Sequence, residues 1–313
     1  MLRRDDRWLW DSWPVDDGDT HHLFYLQAPR SLGDPDARHH AATIGHAVTA
    51  DYERWEVLPD ALWPARPAAW DDLAVWTGSV VRGEHGGWHL FYSAISRRDQ
   101  GRVQRIGRAD SDDLVHWRRY GERPVVRADP RWYETLNLTV WREEAWRDPW
   151  VFRDPDGDGW HMLITARVGV GPRFGRGVLG HAWSPDLDRW EVRPPLTTPA
   201  GFAHLEVPQV ATLNGRPILI FCCAAADLSA ERRVATPRAG TWSVPGDSLL
   251  GPFDLDRAEP FADPSRYAAH LVGLNTGRPA LLGFDQPANG AFTGVIPPPQ
   301  PVRLNAAGLL IPG

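Results

Sequence analysis

Three carboxylates stand out in this sequence because each lies among aromatic or apolar residues rather than in a polar turn. They are Asp11 in WLWDSWP, Asp148 in AWRDPW and Glu206 in HLEVPQ. Burial, together with a cationic neighbour such as Arg147, can move the pKa values of such carboxyl groups apart. One acid then holds a proton while another stays ionised, as general acid and nucleophilic catalysis require. The three residues are therefore our candidates for catalysis.

Each of these acids also has a purely structural interpretation. Asp11 could be an ordinary turn residue between tryptophans, and Asp148 could form a structural ion pair with Arg147. Glu206 could be a solvated acid on a strand, although its apolar neighbours argue against that. The residue types by themselves leave both interpretations open.

The composition excludes several other classes of function. All 34 basic residues are arginine, so a P-loop lysine, a Schiff-base lysine and a kinase-type phosphate lysine are excluded. A formal charge of −6 and the lack of an arginine-rich aromatic stripe argue against nucleic acid as a partner. The chemistry must therefore come from other groups.

Metal and cofactor chemistry is also not expected. The two cysteines, Cys222 and Cys223, are adjacent and predict neither a disulfide framework nor a four-thiolate zinc site. The aspartates of DPDGDG (154–159) resemble a Ca²⁺-binding loop, but they lack a downstream glutamate and fit a tight strand connection. We expect no cofactor and no metal site.

The N-terminal residues bear on location. After MLRRDD the chain continues with Trp8, Asp11 and Trp13 rather than with the apolar core of a signal peptide. No apolar run approaches the roughly 20 residues that a membrane span requires. We therefore expect a soluble protein without a membrane partner, located in the cytoplasm.

The elements that must position the acids recur along the chain. Short apolar, strand-like runs begin at five positions: His22 (HLFYLQ), Trp88 (WHLFYSA), Trp160 (WHMLITA), Arg216 (RPILIFCC) and Arg278 (RPALLGF). A second strand-like element follows the first three of them and ends in an Asp-x-x-x-Trp unit at Trp55, Trp117 and Trp190. A repeat of this length that contains several short strands is typical of a β-propeller blade.

Five repeats predict an all-β fold, a five-bladed β-propeller, as a single catalytic domain over residues 1–313. No segment shows a helical apolar period, because Pro and Gly interrupt the chain too often. A β-sandwich would also give many short strands, but it would not repeat the same turn unit at blade spacing. Since a propeller gathers residues from every blade around its axis, acids that are distant in sequence can meet there.

Six motifs carry a resemblance to a known family. In chain order they are WDSWP, HLFYLQAP, DYERWEVLPDAL, WTGSVV, WRDPWVF and LEVPQV. Together they resemble glycoside hydrolase families 32 and 68, the β-fructofuranosidase, levanase and levansucrase clan, whose catalytic domain is a five-bladed propeller. The resemblance covers nearly the whole chain. WDSWP is closer to the levansucrase side, whereas DYERWEVLPDAL and the Glu-x-Pro at 206–208 look more like the invertase side.

The resemblance implies a role for each candidate acid. Asp11 would be the nucleophile, Glu206 the general acid and base, and Asp148 the stabiliser of the transition state, held by Arg147 against the fructosyl hydroxyls. This implies a retaining mechanism through a covalent fructosyl-enzyme, with two carboxyl groups about 5 to 5.5 Å apart. The implied substrate is a small carbohydrate, a β-fructofuranoside such as sucrose or a short fructan.

The same resemblance implies sugar-binding positions. They are Trp10, Gln27, Trp76, Ser79 and Arg147. Aromatic faces suit the C–H surfaces of a sugar, and amide and hydroxyl groups suit its hydroxyls. Gln27 is offset by one residue from the family pattern, and Trp10 stands where the invertase side usually has asparagine.

Two other functions remain open at this point. An inverting α-arabinofuranosidase or β-xylosidase of the family 43 type would use the same fold, with its carboxyl groups about 6.5 to 9.5 Å apart. A carbohydrate-binding propeller without catalysis would use the same aromatic pocket. The sequence also leaves open whether water or a sugar accepts the transferred group, because loops such as 29–40 and 124–144 would form the acceptor subsite.

Overall fold

The structure, a computed structural model, describes residues 1–18, 20–274, 276–286 and 292–313. Within these residues, twenty strands form five antiparallel sheets of four strands each. The first sheet contains β1 (Arg7–Asp16), β2 (His21–Pro29), β3 (Thr43–Thr49) and β4 (Glu56–Leu62). The second contains β5 (Ala74–Arg82), β6 (Trp88–Ile95), β7 (Arg105–Ser111) and β8 (Arg118–Arg119). The third contains β9 (Trp146–Arg153), β10 (Trp160–Arg167), β11 (Gly177–Ser184) and β12 (Glu191–Arg193).

The last two sheets follow the same plan. The fourth contains β13 (Glu206–Leu213), β14 (Arg216–Cys223), β15 (Gly240–Pro245) and β16 (Glu259–Pro260). The fifth contains β17 (Arg266–Gly273), β18 (Pro279–Asp285), β19 (Gln300–Leu304) and β20 (Leu310–Pro312).

Helical structure is confined to the connections. In the described part of the chain, the one α-helix is α1 (Ala230–Ala235). Short 3₁₀ helices lie at Arg30–Leu32, Pro35–Ala41, Arg97–Asp99, Arg173–Gly175, Ala225–Asp227 and Leu255–Arg257. Among the residues described, no helix has the length and apolar character needed to cross a membrane.

The five sheets close into a ring. Within each sheet the strands are ordered as in the chain. The first strands of successive sheets contact one another in turn, from β1 through β5, β9 and β13 to β17, and β17 returns to β1. The all-β fold and the five-bladed propeller expected from the repeats are therefore confirmed.

The apolar runs recognised in the sequence become the second strands of the sheets. Every residue of β10 is buried, and so is all of β2 except its two ends. A continuous apolar run, rather than an alternating one, is expected for a strand covered on both faces. Here each sheet packs between its two neighbours, and fully buried tryptophans such as Trp13, Trp146 and Trp242 fill the space.

The Asp-x-x-x-Trp units close the turns that follow the third strands. Asp51, Asp113 and Asp186 each accept hydrogen bonds from two backbone N–H groups of the residues that follow them. Trp117 and Trp190 each donate an Nε1–H to the carbonyl three residues earlier and pack against the hydrophobic cores. These tryptophans thus hold the blades together.

Candidate active site

Interruptions in the first strands position the candidate acids. In β1 the pairing with β2 shifts between Trp10 and Ser12, so Asp11 has no residue opposite it. The pairing of β9 shifts around Asp148, and that of β13 shifts directly after Glu206. A bulge of this kind re-aims a side chain relative to the regular pleat. The three acids therefore lie where the inner strands depart from regular geometry.

The backbone at these bulges is strained. The φ angle is 31° at Asp11, 57° at Asp148 and 49° at Val207, the residue that follows Glu206. Non-glycine residues with positive φ cost on the order of 1–3 kcal/mol each when they lie outside favoured regions, and such strain clusters at functional sites. Backbone strain thus occurs at or next to each of the three candidate acids, as is common at functional sites.

The acids share one pocket at the centre of the ring. Its volume is about 480 Å³, within the range of roughly 300–1,000 Å³ common for small-molecule sites. Six of the eight residues singled out in the sequence line it: Asp11, Asp148, Glu206, Trp10, Trp76 and Arg147. Side chains separated by up to 196 positions in the chain are thus brought together.

The other two expected residues, Gln27 and Ser79, lie outside the lining of this pocket as the described residues form it. Gln27 is fully buried, and its Nε2 donates to Asp60 Oδ1 at 2.7 Å. Ser79 Oγ accepts the backbone N–H of Val151 at 3.0 Å and so joins β5 to β9. Gln27 Nε2 and Ser79 Oγ are thus engaged behind the pocket wall, and the expected role of these two residues in sugar binding stays a prediction.

Asp11 is a half-buried carboxyl with one strong donor. Thr77 Oγ1 donates a hydrogen bond to Asp11 Oδ2 at 2.7 Å. Burial and then the nearby Asp148 carboxylate raise the pKa of Asp11 to about 7, while the hydrogen bond from Thr77 acts in the opposite direction. The donor thus favours the ionised form that a nucleophile needs.

Asp148 is held by a different set of donors. Its Oδ2 accepts hydrogen bonds from Thr165 Oγ1 at 2.8 Å and from the backbone N–H of Val207 at 3.2 Å. Burial raises the pKa of Asp148 to about 6, and the adjacent Arg147 guanidinium limits the rise. The side chain is thus fixed between two blades and faces the pocket.

Glu206 is more accessible than Asp148, with a side chain 21% exposed against 5%. Arg147 Nη2 donates to its Oε1 at 2.6 Å, and Tyr267 Oη donates to its Oε2. A carboxyl group at the open side of a pocket, with both oxygens oriented by donors, is placed to exchange a proton with a bound molecule. Asp11 and Glu206 thus lie in one pocket with different donors to their carboxyl groups.

Three site residues were missed from the sequence. Thr77 lies directly after Trp76 in WTGS, where we expected Ser79 to act. Tyr267 begins the inner strand of the fifth blade, where the repeat signal is weakest. Arg38 lines the pocket from the 3₁₀ helix Pro35–Ala41, and its guanidinium lies 4.0 Å from the centre of the Phe292 ring.

No group of three or more His, Cys, Asp or Glu side chains in the described ranges is arranged to hold a metal ion. The polar lining of the pocket consists mainly of carboxylates and arginines. The lining also includes His39, His40 and Gln104.

Solved structures share this architecture. The inulosucrase from Halalkalicoccus jeotgali bound to kestose superposes with a TM-score of 0.77 at 21% identity, covering 97% of this chain and 86% of that chain. The levansucrase from Gluconacetobacter diazotrophicus superposes with a TM-score of 0.74 at 17% identity, covering 98% of this chain and 81% of that chain. At these identities the likeness establishes the fold.

A curated relative corrects one expectation. The extracellular sucrase of Zymomonas mobilis is 24% identical over an alignment that covers 88% of this chain and 76% of the sucrase. The name of this relative places that sucrase outside the cell. The expectation of a cytoplasmic protein is therefore wrong, because the character of the N-terminal residues was an insufficient basis for it.

The family comparison extends over most of the propeller. A family model described as the glycosyl hydrolases family 32 N-terminal domain matches residues 10–271. That range contains Asp11, Asp148 and Glu206, all of β9 and β13, and β1 from residue 10 onward. The match agrees with the resemblance carried by the sequence motifs, and the chain belongs to glycosyl hydrolase family 32.

Proposed function

We propose that this family 32 enzyme cleaves sucrose or a short β-fructofuranoside by a retaining mechanism, with residues 1–313 acting as one catalytic domain. The observation that carries the proposal is the convergence of Asp11, Asp148 and Glu206 on one pocket together with Arg147. The curated relative named a sucrase supports the choice of substrate.

In the first step, an Asp11 carboxylate oxygen attacks the anomeric carbon of the fructosyl group. The bond from that carbon to the leaving oxygen breaks, and Glu206 gives its proton to that oxygen. Thr77 supports this step, because its hydroxyl stabilises the ionised form of Asp11 in the free pocket. The products are a free sugar and a fructosyl group bonded to Asp11.

In the second step, the Glu206 carboxylate takes a proton from water or from an acceptor hydroxyl, whose oxygen attacks the same carbon. Asp11 then leaves, and the configuration at the anomeric carbon is retained after two inversions. The Asp148 carboxylate stabilises the positive charge that develops on the sugar ring in the transition state, and Arg147 holds Asp148 and offers N–H donors to the fructosyl hydroxyls. Both side chains are fixed before the substrate arrives.

The pocket suits a small substrate. A volume of about 480 Å³ suits a ligand of a few sugar units. Trp76 lines the pocket beside the acids and offers an apolar surface to sugar C–H groups, whereas Trp10 is fully buried and supports the pocket wall. Trp76 Nε1 also donates to the carbonyl of His39 at 2.7 Å, which fixes its ring plane against the loop before β3.

Release of glucose and fructose from sucrose tests the proposal. Wild-type protein should release both sugars, or fructose oligomers in place of free fructose, whereas Asp11→Asn should be folded and inactive. NMR recorded soon after mixing should show that fructose is released as the β-anomer, as retention demands. An Asp11→Asn variant with most of the wild-type activity would refute the assignment of the nucleophile.

The alternatives predict different outcomes. An inverting enzyme of the family 43 type would release the opposite anomer and hydrolyse an arabinoside or xyloside. A binding protein would give heat on titration with sugar and no product after a day. The family 32 match favours the fructoside enzyme over both. A product profile at high sucrose concentration separates hydrolysis from transfer.

A further inference from the structure

Arg147 is the centre of a network that includes one carboxylate without an assigned role. Its Nη1 donates to Gln104 Oε1 and to Glu143 Oε1, both at 3.1 Å. Its Nη2 donates to Glu206 Oε1 at 2.6 Å, and its Nε lies 3.4 Å from Asp148 Oδ2. Glu143 and Gln104 therefore contact one edge of the guanidinium, and two proposed catalytic carboxyls contact the other.

This arrangement fixes the plane of the guanidinium. Two acceptors on Nη1 prevent rotation of the side chain, so that Nη2 and Nε stay directed at Glu206 and Asp148. Arg147 is 8% exposed, and water therefore does not replace a lost acceptor freely. Although burial opposes its charge, the carboxylates of Glu143, Asp148 and Glu206 raise the pKa of Arg147, which stays cationic.

In the same arrangement, the positive charge of Arg147 interacts with three carboxylates, those of Glu143, Asp148 and Glu206. If Glu206 and Asp148 were its only anionic partners, the full cation would favour the ionised form of Glu206. A third carboxylate on the opposite edge offsets part of that positive potential. A general acid must begin the reaction protonated, so such an offset favours protonation of the leaving group.

We propose that Glu143 is a positioning residue which, through Arg147, keeps Glu206 oriented and able to hold the proton for the leaving group. The inference rests on the proposed function, because it assigns Glu143 a part in the same reaction. In that reaction the proton passes from Glu206 to the glycosidic oxygen as the bond to the anomeric carbon breaks. Glu143 lines the same pocket, and its assigned part is to hold Arg147 rather than to give or take a proton.

Other groups also face Glu206, and the test must leave them unchanged. They are Asp148 on β9, Tyr267 on β17, Asp11 on β1, Asp227 on the connection after β14, and Cys222 and Cys223 on β14. Replacing Glu143 alters none of these side chains. Glu143 contacts Glu206 through Arg147, and it also lies 3.8 Å from His204 Nε2 and acts electrostatically on Asp227.

The test compares two fructosides with different leaving groups. Sucrose has a poor, sugar alkoxide leaving group and needs the proton, whereas p-nitrophenyl β-D-fructofuranoside releases a stable phenolate and needs it little. Glu143→Gln keeps an acceptor oxygen for Arg147 and loses only the charge. We expect it to lower kcat/KM for sucrose by about 10- to 100-fold and to change that for the nitrophenyl substrate by less than about threefold.

Matched variants control for nonspecific effects. Glu144→Gln makes the same change one residue along, where Oε2 accepts the N–H of Leu136 at 2.9 Å, and should leave both substrates unaffected. Glu143→Asp keeps the charge and should restore the wild-type ratio of the two kcat/KM values. Thermal unfolding of each variant checks that the fold is intact.

Two results would overturn the inference about Glu143. One is a Glu143→Gln variant with wild-type kcat/KM on sucrose, and the other is an equal loss on both substrates, which would indicate general damage to the pocket. A wild-type protein that cleaves neither fructoside would instead refute the proposed function, so the two failures are distinguishable.

Discussion

The hydrogen bond from Thr77 to Asp11 gives the sharpest prediction about the chemistry of the pocket. Thr77→Val removes the hydroxyl that lies 2.7 Å from Asp11 Oδ2 and keeps the shape of the side chain. Thr77 is 2% exposed, and its backbone carbonyl accepts a separate bond from Ser93 Oγ at 2.8 Å, which the substitution leaves in place. The change is therefore confined to one donor.

The size of the effect follows from the strength of that bond. A hydrogen bond to a charged group contributes about 1.5–3 kcal/mol, which at about 1.36 kcal/mol per unit corresponds to about 1–2 units of pKa. Burial and Asp148 raise the pKa of Asp11 to about 7, and the Thr77 hydroxyl opposes that rise. Without the hydroxyl, the pKa of Asp11 should rise further, because the ionised form loses its donor.

The pH dependence of kcat/KM on sucrose measures this shift. Since the nucleophile must be ionised, activity rises with pH, and this acid limb should move by about 1–2 pH units to higher pH in Thr77→Val. At pH 6 the variant should be about 10- to 100-fold slower than wild type, with a smaller difference at pH 9. Because the Asp11 and Asp148 carboxyls interact, the apparent pKa read from the acid limb of the pH profile describes the two groups together.

Ser79→Ala is the control, because Ser79 lies on the same strand but bonds to Val151 behind the pocket. Its acid limb should coincide with that of the wild type. The reasoning would be refuted by a Thr77→Val profile that falls by the same factor at every pH without a shift. That result would show that the hydroxyl sets geometry and not the ionisation of Asp11.

Three further predictions concern stability and support of the acids. The pKa of Asp11 is raised from 3.8 to about 7 in the folded protein, so the folded state binds this proton more tightly than the unfolded state does. The free energy of unfolding therefore falls as the pH rises from about 4 to about 7, by at most about 4 kcal/mol. Chemical unfolding should therefore show that Asp11→Asn is more stable than wild type at pH 8 and differs little from it at pH 4. An equal increase in the free energy of unfolding at both pH values would contradict this. Tyr267→Phe removes the donor to Glu206 Oε2 and should lower kcat/KM on sucrose by about 10- to 100-fold, whereas unchanged kinetics would make the contact incidental. Glu134→Ala leaves the fully buried Arg167 without its partner at 2.9 Å and should cost about 3–5 kcal/mol in urea unfolding, so a loss below about 1 kcal/mol would exclude a supporting role.

The ring of blades was predictable because its signals are local. A strand that is covered on both faces must be apolar at every position, as in WHMLITA, and five such runs at similar spacing indicate five blades. The Asp-x-x-x-Trp turns are local as well, since each aspartate binds N–H groups only a few residues away. Asp11, Asp148 and Glu206 were recognisable because their motifs lie on the inner strands.

The direction of individual side chains was less predictable. Side chains alternate along a strand, so one extra residue at a bulge sends those that follow to the other face. The bulge in β5 lies between Trp76 and Gly78, and it places Thr77 on the pocket and Ser79 behind it. The sequence WTGS contains both hydroxyl groups, and its pattern does not reveal where the pairing shifts.

The sequence by itself determined the repeating blades and the family, and its motifs singled out three acids that line one pocket, because these features depend on short motifs and on burial patterns along single strands. Only the tertiary structure decided which groups orient the acids. Tyr267 lies 61 positions from Glu206, and Arg147 lies 59 positions from it, yet both donate to its carboxyl oxygens. Such contacts arise where separate blades meet at the axis, and the distance between two blades is not encoded in either of their motifs.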